Sequence, residues 1–87
     1  MPSVHLERHK NPCGTLRLYD EGSFENGDPY RLALTAEIEG YTVTLRGADV
    51  PVTARDYRNI RAYLIEQGYR KVIIQRHGRM KTIKLEH

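Results

Sequence analysis

The chain has 87 residues, with 14 Lys/Arg against 11 Asp/Glu, four His and one Cys, for a formal net charge of +3. That length admits one domain with a modest core and excludes a deep cleft between two domains. A single Cys excludes an internal disulfide framework, and no apolar stretch approaches the roughly 18 residues of a membrane span or forms a signal-peptide core, so a cytoplasmic protein without a membrane partner is expected.

Residues 4–8 (VHLER) alternate Val4 and Leu6 against His5 and Glu7 and are expected to form a first edge strand. Asn11-Pro12-Cys13-Gly14 is turn chemistry, because Pro fixes φ and Gly permits the reversal. Residues 15–20 (TLRLYD) read as a short strand with Leu16 and Leu18 on one face. Residues 21–29 are a loop or small hairpin, with Asn26-Gly27 as a type I′ signal and Pro29 suited to a strand start.

Residues 30–39 and 41–46 are the clearest strands, with Tyr30, Leu32, Leu34, Ala36 and Ile38 in one alternating set and Tyr41, Val43 and Leu45 in the other. A Glu39-Gly40 turn pairs Ile38 with Tyr41, Ala36 with Val43 and Leu34 with Leu45. A slip by one residue would turn one apolar set to the wrong face. Residues 47–52 link this hairpin to a helix over about 53–67. Thr53 and Asp56 form a capping box at its start, Gly68 terminates it, and Tyr57, Ile60 and Leu64 share one face. Residues 71–76 (KVIIQR) form the next strand, nearly continuous in apolar residues, and are expected to run parallel to 41–46 by a crossover. His77-Gly78 turns the chain into a last strand over 80–85. Leu85-Glu86-His87 reads as a purification-tag remnant, leaving 1–84 as the domain.

The expected fold is α+β: a mostly antiparallel sheet with one helix packed on one face, in the order strand, hairpin, helix, strand, strand. The expected core is Leu16, Leu18, Leu32, Leu34, Ala36, Ile38, Tyr41, Val43, Leu45, Tyr57, Ile60, Leu64, Val72 and Ile74.

Charge is unevenly divided. Residues 1–54 carry five Lys/Arg and eight Asp/Glu, whereas 55–87 carry nine and three. The basic half nominates Arg55, Arg58, Arg61, Arg70, Arg76, Arg79 and Lys81 as contacts for nucleic acid or an acidic protein partner, with Tyr57, Tyr63 and Tyr69 as candidate stacking groups. The alternation of 71–76 sends Lys71 and Arg76 to opposite faces, so these cations do not all share one surface. A solvated helix face is the competing reading for Arg55, Arg58 and Arg61. His5, His9 and Cys13 are spaced by four, but Pro12 denies them a common helix and no fourth ligand is near, so no metal site is assigned. Cys13 as a nucleophile would need an electropositive setting and an adjacent base, which His5 or His9 could supply, and the sequence does not show that geometry, so no such role is assigned. Glu37 and Glu39 share a strand face and read as solvated carboxylates. No cofactor motif and no catalytic residue is assigned.

The order of elements over about 15–85, and the segment IRAYLIEQGYRKVII in particular, resembles the central block of GNAT-type acetyltransferases. There a hairpin runs into a helix whose N-terminus holds the acyl-CoA pyrophosphate. The segment is also similar to small phage-encoded proteins. The link Arg46-Gly47-Ala48-Asp49-Val50-Pro51-Val52 lacks the family's Gly-rich pyrophosphate loop, so the resemblance implies topology and carries over no CoA-binding residue. The function expected is therefore that of a small non-enzymatic binding or accessory protein. An acetyltransferase-like or degenerate enzyme is the alternative. So is a structural protein that self-associates into a homo-oligomer through an exposed edge strand.

Overall fold

Each apolar alternation is realised as a strand, and each strand lies beside its neighbour in sequence. A computed structural model describes residues 2–48, 50–76 and 78–85, with the side chain of Arg76 outside the described set. It contains β1 (Ser3–Arg8), β2 (Cys13–Tyr19), β3 (Leu32–Glu39), β4 (Thr42–Arg46), α1 (Ala54–Glu66), β5 (Lys71–Arg76) and β6 (Arg79–Lys84). One six-stranded sheet has the order β1-β2-β3-β4-β5-β6. Every pair is antiparallel except β4 and β5, which are parallel and joined through α1. Among the described residues no helix is long and apolar enough to cross a membrane.

The helix starts where its side chains satisfy its free N–H groups. The Asp56 N–H donates to the Thr53 hydroxyl at 3.2 Å, and the Thr53 N–H donates to the Asp56 carboxylate at 2.9 Å. This closes the reciprocal box. At the other end Gly68 holds φ at +90°, a conformation that costs a Cβ-bearing residue, and Tyr69 N–H donates to the Leu64 carbonyl at 3.0 Å.

The helix covers one face of the sheet. Ile60 and Leu64 enter a cluster with Leu16, Leu18, Leu32, Leu34, Ala36, Ile38, Val43, Leu45, Val72 and Ile74, all buried. Tyr57 is only partly buried at its margin. Leu85, set aside on sequence with the tag remnant, is part of this cluster at 5% exposure, and its N–H donates to the Arg70 carbonyl at 2.8 Å. Glu86 and His87, set aside on sequence with Leu85, lie outside the described residues, as do Asp49 and His77.

The central hairpin departs from its expected register. Ile38 pairs with Val43 and Ala36 with Leu45, so the two-residue turn is Gly40-Tyr41 and not Glu39-Gly40. Both registers keep the apolar sets on one face, because they differ by two residues and the side-chain period is two. The turn decides between them: Gly40 adopts φ of +58°, which suits a tight hairpin connection. Tyr41 is thereby removed from the expected core and stands 64% exposed. Likewise β3 begins at Leu32 and leaves Tyr30 exposed.

The two sheet edges differ. On β1 the Leu6 N–H donates to the Tyr63 hydroxyl at 3.0 Å, so the helix satisfies one outward backbone group of that edge. Replacing Tyr63 by Phe is expected to cost about 1 kcal/mol and to speed amide exchange at Leu6 while the rest of the sheet is unchanged, as read by hydrogen–deuterium exchange. No such cover is seen on β6 among the described residues.

Candidate interaction surface on the basic flank of the helix

Successive positions of a helix turn by about 100°, so residues three apart step sideways by about 60°. Arg55, Arg58 and Arg61 therefore fan across roughly a third of the helix circumference, and the sheet beneath divides them.

Arg58 and Arg61 face β6. With Tyr57, Ile60, Val72, Ile74 and Ile83 they line a trough of about 120 Å³ between α1 and the last two strands. That is well under the several hundred Å³ of a typical small-molecule site. The register Ile74↔Lys81 and Arg76↔Arg79 puts Lys81 and Arg79 on the same face of β6 as Ile83. Cations thus stand on both banks of an apolar floor. No carboxylate lines this trough, and among the described residues none of Arg58, Arg61, Arg79 and Lys81 is engaged in an ion pair.

Two other members of the nominated set lie elsewhere. Arg55 lines a separate cavity of about 270 Å³ at the helix start, bordered by Asp20, Arg31, Asp56 and Asn59. Arg70 is at the far end of the helix, its guanidinium 5.1 Å from the ring of Tyr41. Arg76 belongs to β5, but its side chain is outside the described residues. The proposed stacking groups are mostly committed internally: Tyr63 binds β1, and Tyr57 and Tyr69 pack against the core.

The strongest electrostatic feature was not legible in the sequence. Arg31 donates to Asp56 and, at 2.8 Å, to Asp20. Among the described residues Asp56 is the one buried charged side chain, at 2% exposure. Burial pushes its pKa up, but the Thr53 N–H, the Arg31 guanidinium and the Thr53 side chain overcome this and hold it below the ordinary value of 3.8. The hydrogen bonds from Asp20 and Asp56 raise Arg31 in turn. Every polar group here serves another, so the cluster is a clamp between the β2–β3 loop and the helix start.

The remaining candidates fall on the other sheet face or its margin. His5 stacks on Phe24 with centroids 4.0 Å apart, and Tyr30 lies beneath the Arg17 guanidinium at 5.8 Å, so the 20–31 loop returns over β1 and β2. His9 is 2.9 Å from the Thr15 hydroxyl, and Cys13 is exposed. Glu37 accepts from Arg46 at 3.2 Å across the hairpin. No family model, no curated protein and no solved structure matches this chain.

Proposed function

We propose that this chain is a small non-enzymatic binding protein of the cytoplasm whose contact surface is the flank formed by Arg58, Arg61, Arg79 and Lys81, and that its partner is an acidic segment of another protein. The observation that carries this reading is the pairing of unopposed cations with an apolar floor. An acidic polypeptide supplies both carboxylates and apolar side chains. A phosphate backbone supplies only charge, and the tyrosines best placed to stack bases are occupied.

The test is the double charge reversal Arg58→Glu/Arg61→Glu. Both residues are exposed, so stability should stay within about 0.5 kcal/mol of the parent. Affinity for a glutamate-rich peptide should fall at least about tenfold, with the parent's binding weakening as salt is raised. Titration with mixed-sequence DNA and RNA at two salt concentrations serves as the counter-test; tighter binding there than to the peptide would replace the acidic-partner reading with a nucleic-acid one.

A second reading rests on the parallel β4–β5 pair bridged by α1, the arrangement on which the acetyltransferase resemblance depends. Acetyl-CoA should then shift amide resonances around residues 47–55, and a spectrum unmoved there removes this alternative.

A further inference from the structure

We propose, building on the reading of this flank as a site for an acidic protein segment, that the segment binds as an added strand along the outer edge of β6. β6 pairs only with β5 in the sheet, so the backbone groups on its other side are available to a seventh strand. The alternation of β6 then dictates what that strand carries. On the helix side it meets Arg79, Lys81 and Ile83 in turn. Facing residues in adjacent strands approach within about 5 Å. The helix-side positions of the partner must therefore offer a carboxylate, a second carboxylate and an apolar side chain. The apolar one closes the open side of the trough over Ile83 and Ile74, and the carboxylates come within reach of Arg58 and Arg61 from below.

A second copy of this chain is a poor occupant. An antiparallel pairing of β6 with β6 brings Arg79 and Lys81 of one copy onto the same face as Arg79 and Lys81 of the other, and like charges on neighbouring strands are destabilising. On the β1 edge the outward N–H of Leu6 is already taken by Tyr63.

The test uses the intact chain and two synthetic peptides of about nine residues, enough to span a strand of this length. One carries Asp, Asp and Val at alternate positions with Thr between; the other is its reversal, so both strand directions are sampled. A control of the same composition moves the carboxylates to the intervening positions. One of the first two should shift the amides of residues 79–84, and alternate amides of β6 should exchange about tenfold more slowly or better. The control should bind at least about tenfold more weakly. The variant Arg79→Glu/Lys81→Glu should lose the acidic peptide and gain its Lys-substituted counterpart. Binding that leaves the β6 amides unprotected overturns the added strand while leaving the acidic-partner reading intact. Absence of binding by both peptides and by polyglutamate at low salt overturns both.

Discussion

Leu64→Ala should destabilise the chain by about 3–4 kcal/mol and lower its melting temperature by about 15–25 °C. Leu64 is fully buried on the single helix that covers this face of the sheet. The cavity it leaves is walled by strand residues such as Leu34, Leu45 and Val72, which are fixed by their ladders and cannot collapse inward. A domain of this size has only about 4–13 kcal/mol in total, so the loss is a large share of it. Urea denaturation followed by circular dichroism measures it directly. Arg61→Ala, on the exposed flank one turn away, should change stability by less than about 0.5 kcal/mol. Equal effects from the two variants would mean that the helix is not docked as described.

Asp56→Ala should cost about 2–3 kcal/mol. Removing one member of a buried ion pair commonly costs about 3–5 kcal/mol, but the Arg31 side chain is 35% exposed, so water recovers part of the loss. Asp20 also remains as a partner for Arg31. The capping bond to the Thr53 N–H disappears at the same time. Asp56→Asn keeps an acceptor for that N–H but turns an amide NH2 toward Arg31, so it loses the charge and the guanidinium bond while retaining the cap, and it should fall between the parent and Asp56→Ala. The pH dependence has a definite sign. A carboxylate held below its unfolded value binds fewer protons when folded, so its contribution is complete above 3.8 and drains away as the pH falls through the lower folded value. The gap between the parent and Asp56→Ala should therefore be widest near neutrality and narrow below about pH 4. A gap that persists unchanged to pH 2 would assign Asp56 a role through packing alone.

Much of the architecture was legible because local signals agreed with one another. Thr53, Asp56 and Gly68 mark the helix ends by chemistry that needs only neighbours, and the alternating apolar residues Leu32, Leu34, Ala36 and Ile38 mark a half-buried strand. The hairpin register was not legible to the residue. Shifts of two leave every apolar side chain on its face, so only the turn could choose, and it placed Tyr41 outside the core. The basic surface was legible as a charge excess but not as a shape. Arg55 and Arg61 are six residues apart and so diverge around the helix, and nothing in a count separates the flank facing β6 from the cavity at the helix start. The Arg31–Asp56 contact joins residues 25 positions apart and has no periodic signature at all. Ile83, which completes the trough, sits in a strand whose other residues are all exposed and, apart from Met80, polar.

A sheet whose strands follow chain order also shapes how the protein assembles. Closing a loop costs conformational entropy that grows with the logarithm of its length. The β3–β4 and β5–β6 contacts each close a loop of a few residues, and β1–β2 one only slightly longer. The meeting of β4 with β5 instead spans residues 47–70, and the helix within that stretch shortens the distance between its ends. The hairpins close locally, and the parallel seam between them carries the largest loop-closure cost in the sheet.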